Sequence, residues 1–142
     1  MSTTATPYLG FDGNCREAFA RYSAIFGGNA DMVTHGESPA CDQIPAEMHG
    51  CVMHAQLTTG DLLVMGADMP PGMYQKPTGI CVAVAVDTPE EAERVFAALA
   101  EGGEVQMPMD ETFWAHRFGM LIDRFAIPWM INCLKAEPEL NT

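Results

Sequence analysis

The residues able to do chemistry are few and scattered along the chain. They are His54 in the run Met53-His54-Ala55-Gln56, Asp68 beside Pro70-Pro71, and the cluster Phe113, Trp114, His116 and Arg117. His54 sits mid-strand and can serve as a general base, because imidazole changes charge close to neutral pH. It can also be a histidine held by a structural hydrogen bond. Asp68 can accept a proton or a ligand hydroxyl, or act as a turn carboxylate bonded to its own backbone. Aromatic rings with an imidazole and a guanidinium suit a flat, partly anionic or carbonyl-bearing small molecule. Strand alternation turns Phe113 and Ala115 away from Trp114 and His116. The usable subset is therefore Trp114 with His116, or Trp114 with Arg117 if a bulge intervenes. Dimer-interface packing explains the same cluster, and Arg117 can instead pair with Asp123 or Asp110. Trp129 completes the set of ligand-binding candidates.

Other reactive types read as structural. His35 and His49 flank an acidic, proline-containing loop of the kind that forms a solvated lid. Cys51 and Cys81 lie in strand-like runs with no base or positive charge nearby, so neither reads as an activated thiolate. The five cysteines are widely spaced, with no C-x-x-C pair. Reduced thiols in a cytoplasmic protein fit this better than a disulfide framework.

The elements that must position these groups follow from the pattern. Pro7 to Phe11 reads as a strand. Asn14 can cap a helix from Cys15 to Phe26, with Ala18, Phe19, Tyr22, Ile25 and Phe26 on one face and Gly27-Gly28 as its stop. A strand at Ala30 to Thr34, a loop over Gly36 to His49, and strands at Cys51 to Leu57 and Leu62 to Gly66 about Thr59-Gly60-Asp61 complete a first module, residues 7–66. Residues 67–78 read as a linker. A second module, 79–135, begins with a strand at Ile80 to Val86. Thr88 then caps a helix with Pro89 at its first position and Glu91 closing a capping box, and Ala92, Val95, Phe96 and Leu99 form its buried stripe. Strands at Glu104 to Met109, Arg117 to Asp123 and Trp129 to Leu134 follow. The Gly-Gly helix stops at 27–28 and 102–103 recur in the same place, so each half reads strand, helix, strand, strand, strand.

Composition bounds the function. The chain has 142 residues, the size of one domain, with 48% hydrophobic and 18% charged residues, which is ample for a packed core. Nineteen acidic residues against seven basic give a net charge of −12. That excludes nucleic-acid backbone and anionic membrane surfaces as partners. No apolar run reaches the ~18 residues of a membrane span, and Met1 to Pro7 does not read as a signal peptide. Eleven methionines are compatible with a soft-walled cavity as well as ordinary core filling.

A duplicated βαβββ unit resembles the vicinal oxygen chelate superfamily of glyoxalase I, the bleomycin-resistance proteins and the extradiol dioxygenases. The resemblance to its PhnB-like branch is carried by Tyr8-Leu9-Gly10-Phe11-Asp12-Gly13-Asn14-Cys15-Arg16-Glu17-Ala18, Phe26-Gly27-Gly28, Met53-His54-Ala55 and Met65-Gly66-Ala67-Asp68. The block from Thr112 to Gly119, Asp123-Arg124-Phe125 and Trp129-Met130-Ile131-Asn132 extend it. The resemblance implies a single α+β domain over residues 1–142, with two modules forming a cup-shaped paired sheet, commonly in a homodimer. Members also carry the label 3-demethylubiquinone-9 3-methyltransferase. No glycine-rich loop of the usual α/β methyltransferase is present.

Metal-dependent relatives place His, Gln or Glu on the first and last strands of each module, and their final strand resembles Asp-Pro-Asp-Gly-x-Trp-Ile-Glu. Here the Glu position falls on Ile131 or Asn132, and neither supplies a carboxylate. The expectation is no metal and no other cofactor. Phe125-Ala126 also replaces the Phe-Gly of the branch. The leading expectation is a metal-independent protein binding an apolar or aromatic small molecule. Its rivals are a lyase or glyoxalase-type enzyme built on His54, Asp68 or His116, and a structural or regulatory partner protein.

Overall fold

Two helices form where apolar residues recur at helical spacing. Cys15–Phe26 (α1) buries Cys15, Ala18, Phe19, Tyr22 and Ile25, and Pro89–Ala100 (α2) buries Ala92, Val95, Phe96 and Leu99. The computed structural model describes residues 2–136, which divide into one unit ending at Gln75 and another beginning at Lys76.

The first unit runs Tyr8–Phe11 (β1), α1, Asn29–Thr34 (β2), Val52–Thr59 (β3) and Leu62–Asp68 (β4). Its sheet has the order β1-β4-β3-β2, with β1 parallel to β4 and the other pairs antiparallel. The second unit repeats the scheme with Val82–Ala85 (β5), α2, Glu104–Asp110 (β6), Ala115–Ile122 (β7) and Pro128–Leu134 (β8), in the order β5-β8-β7-β6. The fold is α+β, two βαβββ modules as the sequence led us to expect. In each unit the α-helix covers one face of the sheet, and among the described residues the other face carries no α-helix of that unit.

Each core rests on aromatic side chains between helix and sheet. In the first, Phe19 meets Phe11 and Tyr22 edge-on at 5.9 and 5.7 Å, and all three are buried. A side chain at Gly66 would come within 2.9 Å of the Phe19 ring and 2.7 Å of the Leu9 carbonyl, so only glycine lets helix and strand approach this closely. In the second, Gly119 makes room for Phe96 in the same way, at 2.8 Å. Burying each such ring is worth ~2–3 kcal/mol.

Several local expectations are corrected. Asn14 makes no cap with its side chain. The first helical N–H, that of Cys15, is donated instead to the Asp68 carboxylate. Thr88 does cap α2, accepting from the Glu91 N–H at 3.1 Å, but the Glu91 carboxylate turns to Arg94 rather than closing a box. A capping box forms at Thr34 and Glu37 instead, opening the first of three short 3-10 turns in the loop before β3. The strand expected from Ile80 is shorter than its β-branched run, because Ile80 lies outside the ladder and is 71% exposed. Ala126 stands at φ 74°, the left-handed region that favours glycine.

Candidate functional site

In the first unit, alternation on β3 sends Val52, Ala55 and Leu57 into the core, with a bulge at Met53. His54, Gln56 and Thr58 consequently point to the face away from α1. They form a connected polar row with Tyr8 of β1. Tyr8 Oη lies 3.1 Å from His54 Nδ1, His54 Nε2 lies 3.4 Å from Gln56 Oε1, and Gln56 Nε2 lies 3.5 Å from Thr58 Oγ1. The Tyr8 and His54 rings are 5.8 Å apart, and Tyr8 is 50% exposed. Burial, and to a lesser extent the nearby Cys15, raise the Tyr8 pKa, so the phenol stays protonated beside His54. Asp31 stands opposite Gln56 on β2.

Asp68 lies on the other side of the same sheet. It is buried, and its two oxygens accept the N–H groups of Cys15 and Val52, each at 2.9 Å. It thus ties the start of α1 to the start of β3, bonding backbone far away in sequence rather than its own. Next to this carboxylate, burial pushes the Cys15 thiol up to about 12.

In the second unit the aromatic cluster separates. Trp114 packs edge-on against Phe118 at 5.3 Å and Phe113 at 4.9 Å, and is 40% exposed. A bulge does intervene: Ala115 pairs with Leu134 and Arg117 with Cys133, leaving His116 as the extra, exposed residue. Arg117 turns to the helix face, where its guanidinium sits 2.9 Å from Glu93 of α2. Its partner is therefore neither Asp123 nor Asp110. Trp129 is wholly buried and donates its indole N–H to Asp123 Oδ2 at 2.8 Å. Asp123 Oδ1 also accepts the N–H groups of Phe125 and Ile127, making this carboxylate the hub of the β7–β8 turn. Trp129 thus offers no surface to a ligand.

The open face of this sheet carries Met120, Ile122 and Pro128. With Pro77, Thr78, Gly79, Ile80, Cys81 and Gln106 they enclose a hollow of about 390 Å³. None of the six residues singled out from the sequence lines it. His54 and Asp68 sit on opposite faces of one sheet, so the three residues of the enzymatic alternative do not converge through that pair. Tyr8, Gln56, Met120 and Ile122 went unmarked in the sequence. For Gln56, Met120 and Ile122 the signal was the two-residue alternation around His54 and Leu121, which assigns a face once the neighbouring buried residues are known; Tyr8, on β1, had no such signal.

The family described as 3-demethylubiquinone-9 3-methyltransferase matches residues 3–132. Protein YjdN of Escherichia coli (strain K12) is 34% identical over 94% of this chain and 97% of its own. The chain belongs to this family. Among solved structures, protein PA1353 from Pseudomonas aeruginosa is 46% identical, with TM-score 0.85 over 94% of this chain and 98% of that one. The fosfomycin resistance protein FosX from Listeria monocytogenes shares the fold at 12% identity. Its TM-score is 0.65, over 96% of this chain and 95% of that one, in a crystal structure with Mn(II) and a dihydroxypropylphosphonic acid. These likenesses place the 3-demethylubiquinone-9 3-methyltransferase family member within the vicinal oxygen chelate fold.

A metal of the kind FosX holds does not fit this donor set. Among the described residues, no three His, Cys, Asp or Glu side chains come together. At the end of β8, Ile131 is wholly buried on the helix side, and Asn132, two residues on from Met130, takes the open-face position. Its amide oxygen is buried without a hydrogen-bond partner. A single neutral amide is a weak ligand and does not build a divalent-metal site.

Proposed function

We propose that this PhnB-like protein binds an apolar small molecule without a metal, in the manner of a glyoxalase/bleomycin-resistance-type binding protein. The hollow of about 390 Å³ on the second sheet carries this reading. Its volume is within the range of small-ligand sites, and its walls are apolar apart from Thr78 and Gln106. Met120 supplies an adaptable floor, and the exposed Ile80 forms a rim that a ligand would cover. The free cysteines support a reducing, cytoplasmic setting. Exposed Phe113 and Leu134, beside Trp114 at one end of the second sheet, support the expected homodimer. We keep the two units as halves of one domain.

The test is a thermal-stability screen with apolar aromatic compounds, followed by the variant Ile80→Asp. Ile80 is exposed, so this change leaves the core intact. A compound that binds the hollow raises the midpoint of the wild type, and Ile80→Asp weakens it roughly tenfold, ~1.4 kcal/mol of lost apolar contact. A folded protein that no compound stabilises, or equal affinity in the variant, overturns the reading.

A further inference from the structure

We propose that Tyr8 and His54 form a proton-accepting dyad for a small ligand bearing an acidic hydroxyl, of the phenol or enol class, on the open face of the first sheet. The dyad is built from residues of the first unit alone and is proposed independently of the hollow in the second unit. With Gln56 Oε1 turned to His54 Nε2, the polar row has one direction of donation. The Tyr8 O–H donates to His54 Nδ1, which leaves the imidazole proton on Nε2, facing Gln56 Oε1. The Gln56 amide N–H then faces Thr58 Oγ1. Tyr8 is half-exposed as a residue, and with its proton committed inward its oxygen has only lone pairs left to offer a ligand. A ligand meeting that oxygen must be a hydrogen-bond donor.

The same arrangement can receive the ligand's proton. As the ligand O–H proton moves to Tyr8 Oη, the phenolic proton moves to His54 Nδ1. The products are a ligand oxyanion, hydrogen-bonded to a neutral Tyr8, and an imidazolium. That imidazolium loses no partner, since Nδ1–H donates back to Tyr8 Oη and Nε2–H still faces Gln56 Oε1. A histidine whose ring nitrogens are satisfied in both charge states can act as a base without breaking a hydrogen bond. Among the other titratable groups, Asp31 stands opposite Gln56 on β2, and the Cys15 thiol next to Asp68 stays protonated near neutral pH. Leu63 and Met65 share the face and give the body of the ligand apolar contact.

The test uses p-nitrophenol, whose phenolate absorbs in the visible, with Tyr8→Phe, His54→Gln and Ile80→Asp. The wild type binds it and raises its phenolate fraction at about pH 6, which reads as a lowered apparent pKa of the bound phenol. Tyr8→Phe keeps the ring and His54→Gln keeps hydrogen bonding without basicity. Each abolishes that shift and weakens binding about tenfold, one pKa unit of lost coupling. Circular dichroism of both variants matches the wild type, and Ile80→Asp retains the full shift. Absence of binding to the wild type, a bound phenol with its solution titration, or a shift that survives in Tyr8→Phe or His54→Gln overturns the proposal.

Discussion

The first helix begins on a carboxylate from the last strand of its unit, whereas the second begins on its own neighbour. Cys15 donates to Asp68, 53 residues away, while Thr88 caps Glu91 three residues on. Each unit also owns one buried carboxylate that gathers backbone N–H groups. Asp68 joins helix to strand, and Asp123 closes the turn before β8 and holds the Trp129 indole. The open faces differ more. The first carries a hydrogen-bonded row of Tyr8, His54, Gln56 and Thr58, and the second a hollow walled by Met120, Ile122 and Pro128. The helix-facing residues repeat because the fold requires them. The open-face residues are free of that requirement, and there the two units diverge.

The largest effect expected from breaking this comparison is at the carboxylates. Asp123→Ala strands three buried donors and costs ~5 kcal/mol, and Asp68→Ala strands two and costs ~3–4 kcal/mol. Urea unfolding followed in both units checks the order. Equal costs would mean the long-range tie of the first unit matters as much as the turn hub of the second.

The close approaches come next. Gly66→Ala meets the Leu9 backbone carbonyl, which cannot move aside, whereas Gly119→Ala first meets the flexible Met109 sulfur. We expect ~2–3 kcal/mol for the first and ~1–2 kcal/mol for the second, read by the same unfolding curves.

Alkaline pH distinguishes the units through Cys15. Its folded pKa of about 12 lies above the ordinary 9.0, so the thiol's contribution is complete below pH 9. Above that, the unfolded chain releases the proton first, and stability falls until the folded thiol also ionises near 12. The wild type therefore loses up to ~1.4 kcal/mol per pH unit more than Cys15→Ala across this window. Identical slopes in chemical denaturation would show the thiol to be solvated.

The helix cap and the strained turn give the smallest changes. Thr88→Ala costs ~1 kcal/mol. Ala126→Gly relieves a positive φ at the price of unfolded-chain entropy, for a net gain of ~0.5 kcal/mol, measured as a small rise in thermal midpoint.

Most of the fold was legible in the sequence. The boundaries of α1, the Thr88 cap and the buried stripe of α2 all follow from local spacing and capping chemistry. The chain's candidate chemistry was only partly so. His54 stood out by type, but Tyr8 did not, because the contact that gives it meaning joins β1 to β3 across β4. Asp68 and Arg117 stood out as charges. Their partners, Cys15 with Val52 and Glu93, lie on other elements that no local spacing could name. Trp129 read as a ligand residue because an aromatic near a strand end serves a pocket or a core equally well. Its indole N–H settles on Asp123, inside.

By itself the sequence determined what depends on neighbours a few residues apart: helices, turns, the repeat of βαβββ and the acidic charge. Only the tertiary structure decided which face each strand residue occupies, because a one-residue bulge at Met53 or His116 shifts the register of everything beyond it. That choice of face separates Ile131 from Asn132, Asp68 from His54 and the core from the hollow.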